Sequence, residues 1–235
     1  MNLRGQRLDL SLYVRALPLY ARNVGVALAP LAAAIVGMAV SYVSGPLTAP
    51  LGGAGASIFG LIVQLIFGFA FGVALIFADD AWRHDRANLA SAWSEARRKA
   101  LNILIATLGF FFLIYIAGLI GGLLGSVGSL LFQAVAAFFL IYAFPAAAIG
   151  GAYGADVFSI SIRIARRDPL PTAILAVVSI FVYFYVGQIL PSVLGPSVGS
   201  AGYTVLRLLL PAIATGYVAL VVAKQYADLA FSRYR

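Results

Sequence analysis

The chain predicts an all-α polytopic membrane protein: six transmembrane helices as three hairpins, each preceded by a short cytoplasmic interfacial amphipathic helix. Three observations carry that expectation. The 235 residues are 63% hydrophobic and only 10% charged, too little polar surface to cover a soluble globule of that size. The charges gather in four places, and the three blocks between them (24–78, 100–155 and 169–223) run to 55, 56 and 55 residues. One membrane span takes about 20 residues, so each block holds two spans and a turn.

The elements follow in order. The first charged region carries Arg4, Arg7, Asp9, Arg15 and Arg22. Within it Leu10, Tyr13, Val14, Leu17 and Ala21 recur at i, i+3, i+4, i+7, i+11, the stripe of an amphipathic helix. The block after it turns at "SGPLTAPLGGAG" (44–55). Glycine and proline punctuate helices there because one frees the backbone and the other removes a donor. The second charged region, 79–99, holds another stripe in Leu89, Trp93, Ala96 and Ala100, and its block turns at "GGLLGSVGS" (121–129). Pro145 is expected to kink the fourth span. The third charged region, 156–168, contains "FSISIRI" (158–164), which alternates as a strand would. A lone strand at the membrane surface leaves its edges unpaired, so helix is expected, ending at Asp168-Pro169. Its block turns at "PSVLGPSVGSAG" (191–202), and the tail brings Lys224, Asp228, Arg233 and Arg235. The result is one integral membrane domain, 1–235, with hairpin units at roughly 8–78, 80–155 and 156–223 and a cytoplasmic tail at 224–235.

Hairpins return the chain to its starting side, so all four charged regions share one face. Fifteen of the 16 lysines and arginines lie there, Arg207 being the exception. The positive-inside bias makes that face cytoplasmic, with both termini inside the inner membrane. A cleaved signal peptide is not expected, because the first apolar run exceeds a usual h-region and its partner span follows at once.

Ala-Arg-Arg occurs twice, 69 positions apart: Ala96, Arg97, Arg98, Leu101, Ile105 and Phe112 match Ala165, Arg166, Arg167, Leu170, Ile174 and Phe181. With the equal block lengths this reads as an internal repeat. "VRALPLYARN" (14–23) is a weaker third copy, with Arg15, Pro18 and Leu19 facing Arg166, Pro169 and Leu170. In this reading Arg97, Arg98, Arg166 and Arg167 meet anionic lipid headgroups where an interfacial helix turns into a span. Attraction of that kind is worth about 1 kcal/mol per basic residue. Arginine outnumbers lysine 14 to 2, a ratio that suits phosphate-binding forks but that genome base composition also produces.

Few residues could carry chemistry. There is no cysteine, which excludes disulfides and thiolate chemistry. "DDAWRHDR" (79–86) holds the single histidine; on a helix Asp80 and His84 share a face, and Asp79 and Asp85 could add oxygens to a metal. A solvated membrane exit with paired charges explains the same cluster. A serine hydrolase needs a histidine or lysine base near a buried serine, and no expected span contains one. An enzyme is therefore not expected, nor a cofactor, nor a nucleic-acid partner. Arg207, four positions before Pro211, is a possible intramembrane site for an anion or snorkels to the outer interface. Helix packing has clearer signals: Ala56, Gly60, Gln64, Gly68 and Gly72 recur every four residues in the second span, Ala146, Gly150 and Gly154 in the fourth, and Gly118, Gly122 with Gly121, Gly125 in the third. Small residues let helices approach closely and an amide can bond across the contact; Gln133 and Gln188 are similar.

Six spans, basic segments before the odd-numbered spans, and "YAFPAAAIGGAYGADVFSISIRIARRDPL" (142–170) together resemble a loose group of uncharacterised bacterial six-span proteins. That group includes the membrane domain of some glycerophosphodiester phosphodiesterases. The resemblance implies architecture and no catalytic residues. The expected function is a non-enzymatic accessory or scaffolding subunit that packs against other membrane proteins in a larger respiratory or photosynthetic complex. The alternative is a transporter or lipid-handling protein, which a polar mid-membrane cavity lined by Gln64, Gln133 or Gln188 would favour.

Overall fold

A computed structural model describes residues 9–48 and 52–231 of the protein. Arg4, Arg7, Arg233 and Arg235, the centre of the expected first turn and the side chains of 45–56 (Ala56 among them) lie outside the described residues. Every element described is helical, and five helices are long and apolar enough to cross a membrane.

Helix α1 (Ser11–Arg22) starts where the Asp9 carboxylate accepts the Ser11 amide at 3.0 Å, satisfying a donor that the first helical turn leaves open. A 3₁₀ turn, Val24–Ala27, leads into α2 (Leu28–Thr48). Helix α3 (Gly52–His84) has 33 residues, so it is about 50 Å long against a hydrocarbon core of about 30 Å. The unit boundary expected near 78–80 falls inside it. Asp79–Arg83 and Asp80–His84, each an i, i+4 pair at 2.8 Å, keep the helix wound past the charged residues. It stops at Asp85, whose φ of 63° is the left-handed conformation common just after a helix end. Asn88 then caps α4 (Leu89–Arg98), its side chain accepting the Ala90 amide at 2.8 Å.

Helices α5 (Ala100–Gly122) and α6 (Gly125–Leu140) form a pair joined by two residues. Gly121 and Gly128 pack backbone to backbone, so a Cβ on either would overlap the other. The kink expected at Pro145 is a complete break: α6 ends at Leu140 and α7 (Ala143–Ala148) starts afresh. Proline brings no N–H to the carbonyl one turn back, that of Ile141. Helix α8 (Asp156–Arg167) repairs the gap, since Ser161 Oγ donates to the Phe139 carbonyl at 2.7 Å and accepts from the Tyr142 amide at 3.0 Å.

Helix α8 is helical throughout, the alternating run included. Its buried face is Val157, Ser161, Ile164 and Ala165, an i, i+4, i+7, i+8 stripe with a serine in it. The serine broke the apolar pattern in the sequence. That face packs on the protein itself, which corrects the expectation that it lies in the lipid headgroup layer. Helix α1 has two apolar stripes. Leu12, Ala16 and Leu19 are buried against the bundle, whereas most of the expected stripe (Leu10, Val14 and Leu17) faces outward. On α4, Ala92 and Ala96 are buried, and Trp93 sits half out with its ring edge-on to Phe69 at 5.4 Å.

Helix α9 (Pro169–Phe184), a π-helical turn (Tyr185–Ile189) and α10 (Leu190–Phe231) follow as one 63-residue helical run. It is not straight. Gly199, at φ 70°, ψ 176°, leaves helical geometry. A Cβ added at Gly187 would lie 3.4 Å from the Cα of Pro211, whereas 24 positions (211 − 187) along one helix span about 36 Å. The chain therefore doubles back. The expected tail is also corrected in part, because α10 stays helical through Phe231 with Gln225 and Tyr226 buried.

The core sits at the charged end. Leu75, Ile103, Tyr142, Leu175 and Leu220 are fully buried there. Towards the opposite end the helices face outward, and in the α9–α10 run only 11% of the most apolar window is buried.

Candidate functional site

The charged end contains the chemistry-bearing side chains, and most of its charges are used up in pairs. Besides the two pairs on α3, both Asp85 oxygens accept from Arg22 at 3.1 Å. Asn23, nearly fully buried, donates to the carbonyls of Leu19 and Asp85 at 3.1 and 2.9 Å and accepts the Ala87 amide at 3.0 Å. This clamp fastens the end of α1 to the end of α3. Asp79 and Asp85 thus each pair with an arginine and Asp80 with His84, and no group of three His, Cys, Asp or Glu side chains converges among the described residues.

The four arginines singled out for lipid divide in two. Arg98 pairs with Glu95, and Arg167 pairs with Asp168 at 2.6 Å and donates to the Leu229 carbonyl. Arg97 and Arg166 are exposed and hold no ion pair among the described residues. Hydrogen bonds from Lys99 and then Arg98 hold the Glu95 carboxyl below its ordinary value. Lys99 also donates to the Ala148 carbonyl at 2.8 Å, tying α5 to the end of α7. Both Ala-Arg-Arg segments end a short helix with alanine fully buried and arginines outward. The third copy differs, since Pro18 lies inside α1 while Pro169 begins α9. Sequence reasoning missed Arg163, which with Ser159, Arg166 and Arg167 lines an open basic groove of about 680 Å³. Its i, i+3 spacing to Arg166 was the available signal.

The small-residue stripes separate into contacts and gaps. A Cβ on Gly68 would overlap Thr107, and one on Gly72 would meet Ile103 at 2.8 Å, so these glycines set the crossing of α3 and α5. At Gly60 the same Cβ meets nothing within 4 Å. Gly150 abuts the Tyr226 hydroxyl. A Cβ on Gly154 would meet nothing within 4 Å, and its φ is 55°, because α7 ends at Ala148 and the stripe is not on one helix. Gln64, exposed, lies one turn beyond Gly68 and makes no hydrogen bond among the described residues. Gln133 nestles on Gly118 and donates to Ser129 Oγ at 3.3 Å. Gln188 points outward without a side-chain partner, and Arg207 is exposed with its guanidinium carbon 5.6 Å from the centre of the Tyr203 ring.

A buried polar cluster escaped the sequence reading altogether. Gln225 of α10 donates to the Tyr142 hydroxyl at 2.9 Å and the Pro171 carbonyl at 2.8 Å, and accepts from the Tyr13 hydroxyl at 3.3 Å. Thr172 Oγ1 lies 3.2 Å from the Tyr142 hydroxyl, and the Tyr217 hydroxyl donates to the Tyr13 carbonyl at 2.9 Å. Burial pushes the Tyr13 phenol up to about 12. The cluster joins α1, α7, α9 and α10, which meet only in three dimensions. Comparison with protein-family models, curated proteins and solved structures gives no match.

Proposed function

We propose that the protein is a six-span protein of the inner membrane, built as three hairpins with both termini cytoplasmic. It acts as a non-enzymatic accessory or scaffolding subunit packed against other membrane proteins. The doubling back at Gly199 supports the sixth span, and the gathering of basic side chains at one end supports the orientation. The two Ala-Arg-Arg segments, alike in burial and each followed directly by a long apolar helix, support a repeat. Arg97, Arg163 and Arg166, exposed and without an ion pair among the described residues, would meet anionic headgroups.

One observation carries the subunit reading: the α9–α10 pair turns Gln188 and Arg207 outward within apolar helices, with no side-chain hydrogen bond or ion pair of their own among the described residues. Hydrocarbon does not satisfy an amide or a guanidinium, whereas a neighbouring membrane protein does. A larger respiratory or photosynthetic assembly is a fitting host. The test is photo-crosslinking in native membranes from position 188 and from the outward position 119. Discrete adducts with another membrane protein are expected from 188, lost with Arg207→Leu; lipid adducts alone at both positions would refute the reading.

A lipid-handling role is the second reading, favoured by one feature. Gln64 and Gln133 line a single groove of about 760 Å³ that opens sideways.

A further inference from the structure

The groove lies between α3 and α5. The two helices touch where Gly68 meets Thr107 and Gly72 meets Ile103, and beyond Gly68 the glycine-set contact ends and the helices part. The wedge is walled on one side by Leu61 and Gln64 and on the other by Leu108, Phe111, Phe112 and Tyr115, a continuous face of α5. Gln133 of α6 closes it. Its volume falls within the range of small-molecule sites, and its lining is mainly apolar with a few convergent polar groups, as such sites are.

The lining excludes most occupants. It has no ionised side chain, so a phosphate or carboxylate headgroup would find no counter-charge and would stay in water. The two amides reach the wedge from different helices, Gln64 from α3 and Gln133 from α6. The hydroxyls of Ser41, Ser192, Thr204 and Thr215 bond a carbonyl of their own helix one turn back. Gln64 makes no such bond, and Gln133 uses one donor on Ser129, so N–H donors remain open on both sides of the wedge. Three aromatic rings line the same wall.

We propose that this wedge binds a neutral, membrane-soluble molecule whose carbonyl oxygens accept from Gln64 and Gln133 while its apolar body lies on Phe111, Phe112 and Tyr115. A quinone and a neutral glyceride share that chemistry, and the quinone's flat ring suits the aromatic wall better. The assignment stands apart from the subunit reading, which rests on Gln188 and Arg207.

The test uses the full-length protein in neutral-phospholipid nanodiscs, with a diazirine-bearing alkyl benzoquinone, a diazirine-bearing diacylglycerol, and a diazirine-bearing phosphatidylglycerol as charged control. Peptide mapping is expected to place adducts of a neutral probe on 61–64 and 108–115, competed by excess unlabelled probe. Gln64→Leu, which breaks no side-chain hydrogen bond among the described residues, is expected to cut that labelling at least tenfold. Gln133→Leu, accepted only if its unfolding midpoint matches the parent, is expected to do the same, and Gln188→Leu to leave it unchanged. Competed labelling by the quinone alone or by the glyceride alone selects the source. Equal labelling of Gln64→Leu and parent, adducts spread evenly over the lipid-facing surface, equal uptake of the charged probe, or a cross-link from position 61 to another protein chain would each overturn the proposal.

Discussion

A single methyl group separates Gly68 from collision with Thr107, while at Gly60 the same methyl would hang in open space. Both glycines belong to one four-residue stripe, so their difference is a tertiary fact. Gly68→Val is expected to destabilise the protein by about 1–3 kcal/mol, the usual cost of overpacking, and Gly60→Val to change little. Thermal unfolding in mild detergent distinguishes them. Glu95 supplies a prediction in pH. Its carboxyl is held below the ordinary 4.5 by Lys99 and Arg98, so its contribution is complete above 4.5 and lost as pH falls through the lowered folded value. Between pH 5 and 3 the unfolding midpoint should fall less steeply in Glu95→Gln than in the parent.

At the scale of elements, the short helices act as braces. Helix α8 supplies one hydroxyl that bonds two backbone groups at the α6–α7 break, so Ser161→Ala strands the Tyr142 N–H and the Phe139 carbonyl. A loss of about 1–3 kcal/mol is expected, with faster amide exchange at Tyr142 as the direct readout. Gln225 does the same for α1, α7 and α9. Gln225→Leu is expected to cost a similar amount and to free α1, so that proteolysis near Arg15 and Arg22 should accelerate. The helical character of these braces was legible in α1 and α4, whose apolar residues recur with helical period. It was obscured in α8, where Ser161 on the buried face gives the run a period of two. Which stripe of α1 faces the bundle was not legible, because Leu12, Ala16, Leu19 and Leu10, Val14, Leu17 are both helical stripes, and only the packing of α1 on the bundle chose between them.

At the scale of the whole molecule, packing and charge coincide: the core, the clamps and the basic side chains lie at one end, while the helix pairs present apolar faces at the other. If the six-span reading holds, Lys99 and Arg166 will be modified by a membrane-impermeant reagent from the same compartment, and cysteines placed at 125 and 200 from the opposite one. Modification of Lys99 and Arg166 from opposite sides would break the topology.

Composition and charge spacing alone determined that the chain belongs in a membrane, where its apolar blocks begin and end, and which end gathers its arginines. Solvation dictates those features, and solvation acts on local sequence. Tertiary contact settled the rest: that Ser161 braces the break between α6 and α7, that Gly68 and Gly72 hold a crossing while Gly60 and Gly154 hold none, that Gln225 binds Tyr142, and that Gln64 and Gln133 share a groove. Each depends on partners far apart in the chain, and periodicity within one helix has no access to what stands opposite it.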